Sequence, residues 1–227
     1  MKHPAKNLSS LLERDLNAYA LAAAAAGVGA LCFAQPAEGK IVYTPANEKI
    51  STDGGMFWLD VNHDGIPDFG LINRYGRFSR FWSATLNVVP LVRSNEFAAK
   101  RHAAAGYAAF ALTRGAKIGP SAGFQVEYSY PGVMAQAFKN ASGTIIYGYW
   151  KGGTAYLGLK FVIKGNTHYG WARVKVTPRT PHGYNATLTG YAYETIANKA
   201  IVAGRTKGTS VINPQPKTLG GLARGSQ

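Results

Sequence analysis

The sequence predicts an all-β fold, an antiparallel sandwich or jelly-roll-like domain. Three observations predict it. Short runs with period-two alternation of apolar and polar residues recur along the chain, and turn residues separate most of them. Gly (27) and Tyr (13) are both plentiful, which suits strands joined by tight turns. The 227 residues carry no linker-like break in composition once the first 39 are set aside, so one β domain spans residues 40–205.

The N-terminus reads as a targeting segment. Residues 1–17 are polar with Lys2, Lys6 and Arg14, and 18-AYALAAAAAGVGALCFA-34 is apolar and uncharged. Pro36 stops a helix, and Ala37-Glu38-Gly39 offers small residues at the −3 and −1 positions of a cleavage site. A secretory signal peptide over 1–39, cut before Lys40, is therefore expected. The alternative is a membrane anchor left uncleaved, although the apolar run is short and mostly Ala for a span of ~20 residues. After cleavage no stable membrane span would remain, and secretion is expected. The single cysteine, Cys32, lies inside the apolar run, so the exported domain would use no disulfide.

Eight candidate strands follow: 41-IVYT-44, 56-MFWLDV-61, 68-DFGLIN-73, 81-FWSATLNVV-89, 144-TIIYGYW-150, 155-AYLGLKFVI-163, 168-HYGWARVKV-176 and 186-ATLTGYAYE-194. The Ala-rich piece 97-FAAKRHAAAGYAAFALTRG-115 is the one candidate helix, with Gly115 placed to end it. Residues 206–227 read as a flexible tail.

A hairpin is the best-defined element. Leu157, Leu159, Phe161 and Ile163 share one face of its first strand, and Gly170, Ala172, Val174 and Val176 one face of its second. A four-residue turn, 164-KGNT-167, would pair Phe161 with Gly170, Leu159 with Ala172 and Leu157 with Val174. The opposite face then carries Tyr156, Lys160, Trp171, Arg173 and Lys175. Two readings of that strip stand open. It could stack sugars while attracting acidic groups, with Lys–aromatic contacts of ~0.5–1 kcal/mol each, or its aromatics could pack beneath a second sheet.

Chemistry concentrates in 60-DVNHDGIPDFG-70. Only 11 of the 227 residues are acidic, yet Asp60, Asp64 and Asp68 fall within nine positions. Counting Asp60 as position 1 puts Asn62 at 3, Asp64 at 5, Gly65 at 6, Ile66 at 7 and Asp68 at 9. Calcium takes six to eight oxygens, and this alternation turns Asp60, Asn62, Asp64 and Asp68 inward, with the Ile66 carbonyl as a further oxygen. Gly65 permits the sharp bend. Three carboxylates this close repel one another unless a cation sits between them. The loop is not an EF-hand: position 12 is Leu71 and the flanks read as strands. Water or a distant acid, with Asp53 as a candidate, would complete the shell, and affinity of ~10⁻⁴ to 10⁻³ M is expected. The competing reading is an Asn/Asp/Gly turn held by its own hydrogen bonds.

The loop resembles the D-x-N-x-D-G-x-x-D connections of integrin-like FG-GAP blades and thrombospondin type 3 repeats, over about ten residues. More widely, 156-YLGLKF-161, 168-HYGWARVKV-176, 190-GYAYE-194 and 201-IVAG-204, following a signal and such a loop, resemble uncharacterised secreted bacterial β proteins of the PEP-CTERM-associated type. That resemblance implies secretion and envelope sorting. The tail 213-NPQPKTLGGLARGSQ-227 has the Pro-containing spacer but not the apolar helix and basic end of a sorting signal.

The net charge is +14. Removing 1–39 takes away three basic residues (Lys2, Lys6, Arg14) and three acidic ones (Glu13, Asp15, Glu38), so the exported chain keeps that charge. Such a field favours anionic partners. The cations are scattered rather than run together, and the expected partner is acidic polysaccharide or another cell-envelope polymer, not nucleic acid.

Signals of catalysis are sparse. Residues 119-GPSAG-123 match G-x-S-x-G, but Pro120 precedes Ser121 and a strand-like FQVEY follows, so Ser121 is expected in a turn. His63, His102, His168 and His182 show no metal-ligand spacing. A noncatalytic binding or structural role is expected. The alternative is an extracellular glycan hydrolase using Glu127 and Glu194 as paired carboxylates.

Overall fold

The computed structural model describes residues 40–102, 106–124, 131–179 and 183–208. The expected signal segment, most of the tail, Glu127 and His182 lie outside these residues.

The described residues form strands in chain order β1 (Ile41–Ile50), β2 (Asp53–Leu59), β3 (Phe69–Phe78), β4 (Phe81–Pro90), β5 (Glu96–Phe97), β6 (Ala99–His102), β7 (Gly106–Ala109), β8 (Lys117–Ile118), β9 (Gly132–Asn140), β10 (Gly143–Gly148), β11 (Gly153–Ile163), β12 (Asn166–Pro178), β13 (Tyr184–Glu194) and β14 (Ile201–Val202). The first sheet runs β1-β13-β12-β11-β5 and the second β2-β3-β4-β9-β7-β6, with β10 also on β9. Pairing is antiparallel except between β7 and β9. The fold is all-β and sandwich-like, as the alternation predicts.

Between the sheets lies the main core. From the first sheet Leu157, Leu159, Phe161, Ala172, Val174, Val176 and Leu188 point inward; from the second Phe69, Leu71, Leu86, Val88 and Met134 meet them. Each large side chain fully removed from water contributes ~1.5–3 kcal/mol. Asn73 on β3, fully buried, clamps the layers. Its Nδ2 donates to Ile50 O at 3.0 Å and to Tyr184 O at 2.9 Å, both on the first sheet.

The first sheet is covered on its outer face too. The β8–β14 ribbon packs there around Ile118, Ile201 and Ala203, which enclose Tyr156, Tyr169 and Trp171. Pro45 sits on edge strand β1, where the register shifts before Glu48; a residue without an N–H is tolerated at such an edge.

The structure corrects three expectations. The described residues of the Ala-rich segment are not helical: they include Phe97 of β5 and the short strands β6 and β7. Ala98, Ala99, Ala108 and Ala109 are buried there, Ala99 and Ala109 within the core between the sheets. The hairpin turn is Lys164-Gly165 alone, with φ of 49° and 80°, a two-residue turn whose left-handed centres match strand twist. The register is therefore offset by two: Phe161 faces His168, Leu159 faces Gly170 and Leu157 faces Ala172. Because the offset is even, each residue keeps its face. Finally, 132-GVMAQAFKN-140 is the strand β9, joining β4 to β10 and β7, which alternation did not mark.

Candidate functional site

The loop 60–68 joins β2 to β3, so strands flank it on both sides. Its backbone is wrapped around its own side-chain oxygens. Asp60 Oδ1 accepts the His63 N–H at 2.7 Å and Oδ2 the Gly65 N–H at 2.8 Å. Asn62 Oδ1 accepts the Asp64 N–H at 3.1 Å, and Asp64 Oδ1 accepts the Ile66 N–H at 2.9 Å. Asn62 Nδ2 donates to Asp64 Oδ2 at 2.9 Å. Gly65 adopts φ of 85°, the left-handed bend expected of it. The Ile66 side chain is exposed.

His63 completes the loop's attachment. Its own φ is 62°, and its Nε2 lies 2.7 Å from Thr44 Oγ1 on β1. Its ring packs 5.6 Å from that of Tyr191 on β13.

Asp68 behaves differently from the other two acids. It is buried, with Oδ2 accepting the Val61 N–H at 2.9 Å and Oδ1 accepting from Asn95 Nδ2 at 3.1 Å. Burial raises its pKa above the ordinary carboxylate value; the Val61 and Asn95 hydrogen bonds oppose that, while the charges of Asp60 and Asp64 add to it. Among the described residues no group of three or more His, Cys, Asp or Glu side chains is gathered for a metal ion. Asp60 and Asp64 face solvent more openly, and Asp68 serves as a staple between the loop and the turn after β4. Asp53 does not complete the shell. It begins β2, some ~20 Å of extended strand away from the loop, and accepts the Gly55 N–H.

An oxygen that accepts one hydrogen bond retains a second lone-pair direction. Asp60, Asn62, Asp64 and the Ile66 carbonyl thus have the hard oxygen chemistry that suits a Ca²⁺ ion.

The hairpin strip is divided by its surroundings. Trp171 is fully buried, its ring 5.3 Å from Tyr156 and 5.8 Å from Tyr43. Tyr156 is buried beside it. Lys160 Nζ is paired with Glu96 Oε1 at 2.7 Å. Arg173 donates from Nε to Thr189 Oγ1 and from Nη2 to Thr189 O, each at 2.8 Å. Only Lys175 of the five is exposed. The aromatics therefore pack beneath the β8–β14 ribbon.

Of the candidate catalytic acids, Glu194 is buried. Its Oε1 accepts the Ile196 N–H at 3.1 Å and its Oε2 lies 3.3 Å from Lys199 Nζ. Its carboxylate is occupied in closing the end of β13. Ser121 lies exposed in a turn closed by the Ala122 N–H on Gly119 O.

Two surfaces were not visible in the sequence. At the tip of the β3–β4 hairpin Phe78 is 83% exposed between Arg77 and Arg80. An open groove beside it is lined by Arg77, Phe78, Phe81, Phe138 and Lys139. The second is a cavity of about 300 Å³ between the sheets, lined by alanines and aromatics. Both arise from strands brought together by pairing across β4 and β9, so no local motif announces them.

Compared with protein-family models, curated proteins and solved structures, the chain matches none.

Proposed function

We propose that the chain is an exported, calcium-stabilised β-sandwich domain that holds acidic polysaccharide at the cell surface or in the extracellular matrix without turning it over. The observation that carries this reading is the wrapped loop, in which Asp60, Asn62 and Asp64 present oxygens around a glycine bend. Ca²⁺ held there by those side chains, the Ile66 carbonyl and water would relieve the repulsion between Asp60 and Asp64 and stiffen the β2–β3 connection.

Charge supports the choice of polymer. Residues 69–92 and 131–152 contain no Asp or Glu, and they carry Arg74, Arg77, Arg80, Lys139 and Lys151. All five are exposed at the β3–β4 and β9–β10 hairpins or just beyond them. Phe78 and Phe81 stand among these cations, with Arg80 5.3 Å from the centre of the Phe81 ring. Aromatic faces stack on sugar rings while Arg and Lys attract uronate carboxylates, a pairing that a neutral glycan does not satisfy.

Affinity electrophoresis in calcium buffer tests this, with hyaluronate in the gel and neutral dextran as control. Hyaluronate is expected to retard the protein, less so at higher salt. Phe78→Ala and Arg77→Ala should weaken the retardation and leave the melting temperature unchanged. Equal mobility in both gels, or release of reducing sugar, would contradict a noncatalytic binder of acidic polysaccharide.

A further inference from the structure

The inter-sheet cavity is built, not incidental. On the inward face of the second sheet Ala84 pairs with Ala137, and Ala135 lies one step along beside Leu86. Facing sheets sit ~10 Å apart and are normally filled by larger side chains, so three alanines together leave space. Tyr184 and Pro178, paired at the ends of β13 and β12, close it from the first sheet.

The walls are aromatic and fixed. Trp82, Trp150 and Tyr184 are each less than one-tenth exposed. Trp150 Nε1 donates to Ala109 O at 3.2 Å, which holds its ring in place. Tyr184 is anchored through its carbonyl to Asn73, and burial pushes its hydroxyl up to about 12. At the mouth Ile146 is 64% exposed and Lys151 supplies the cation; among the described residues no acidic side chain lines the space.

These features define a ligand. Flat aromatic walls accept a planar ring. The lining offers too few polar groups to satisfy the hydroxyls of a sugar, which would be buried without partners. One cation, Lys151, beside Ile146 and Tyr147 matches one anion. We infer that this cavity binds a small planar aromatic acid, with its ring among Trp82, Trp150 and Tyr184 and its carboxylate at Lys151. The site is separate from the calcium loop, and it shares only Lys151 with the cationic surface assigned to the polymer.

Isothermal titration of the purified full-length chain with 2-naphthoate, and with neutral 2-naphthylmethanol, tests the inference. Saturable one-to-one binding of 2-naphthoate is expected. Lys151→Met, at an exposed position, should weaken it about tenfold and leave 2-naphthylmethanol unaffected. Ala137→Leu should abolish binding of both by filling the space. If Ala137→Leu fails to fold, Ile146→Ser at the exposed mouth reads the same site and should weaken both probes. Absence of saturable binding overturns the inference, and so does binding that none of these substitutions changes. Equal affinity for the two probes, with Lys151→Met silent, overturns the assignment of an acid.

Discussion

Asn95 donates from Nδ2 to Asp68 Oδ1 at 3.1 Å, so the last acid of the loop is held from the turn after β4. The same turn is tied a second time, through the Leu91 N–H on Asp68 O at 2.9 Å. Asp68 thus links β2, β3 and β4 at one end of the second sheet. Asp60 and Asp64 have no comparable role in packing.

That difference separates the three acids experimentally. In EDTA, Asp68→Ala should destabilise the fold by about 1–3 kcal/mol in urea unfolding, because the buried Val61 N–H loses its acceptor and the Asn95 amide keeps only the Asp68 carbonyl at 3.3 Å. Asp68→Asn should cost less, since it keeps an oxygen for Val61 and removes a charge that burial disfavours. Asp60→Ala and Asp64→Ala should change stability in EDTA far less than Asp68→Ala.

Trp171 is expected to act as core. Trp171→Ala should cost about 3–5 kcal/mol in the same assay, the range for deleting a buried aromatic. Trp171→Phe should cost much less, because the buried indole Nε1 it removes has no hydrogen-bond partner among the described residues. A folded Trp171→Ala protein of unchanged stability would contradict the buried placement.

Tyr184 makes stability fall in alkali. Its folded pKa is raised from 10.0 to about 12 by burial. Below pH 10 the phenol is protonated in both states and its contribution is fully present. Between 10 and 12 the unfolded chain loses this proton first, so stability declines as pH rises through the window, by about 2–3 kcal/mol in all. Tyr191 and Tyr193 are shifted in the same direction, also chiefly by burial. Urea unfolding across pH 9–12 should show the decline, and Tyr184→Phe should flatten part of it.

Fold class was legible because alternation survives wherever one strand face is buried. The faces of the β11–β12 hairpin were legible for the same reason, but its register was not. Lys164 in a left-handed conformation makes a two-residue turn where Lys-Gly-Asn-Thr suggests four. Strands β6 and β7 were hidden by alanine, whose helical preference yields here to strand pairing and to the burial of Ala99 and Ala109 in the core. In β9, alanines at 135 and 137 likewise mask a strand, and those two residues also open the cavity. The loop residues could be read from spacing alone. The inward turn of Asp68 could not, since Asn95 lies 27 positions away.

Thermal unfolding of the purified protein in EDTA, in millimolar CaCl₂ and in millimolar MgCl₂ decides whether the loop holds calcium. Calcium stabilisation by the loop requires a calcium-specific rise in Tm, equivalent to about 0.4–1.4 kcal/mol at millimolar free calcium for a Kd of ~10⁻⁴ to 10⁻³ M. It requires that rise to vanish in Asp60→Ala and in Asp64→Ala. An unchanged Tm in calcium, or a rise that both variants retain, would contradict calcium stabilisation by this loop and leave it a turn held by its own hydrogen bonds.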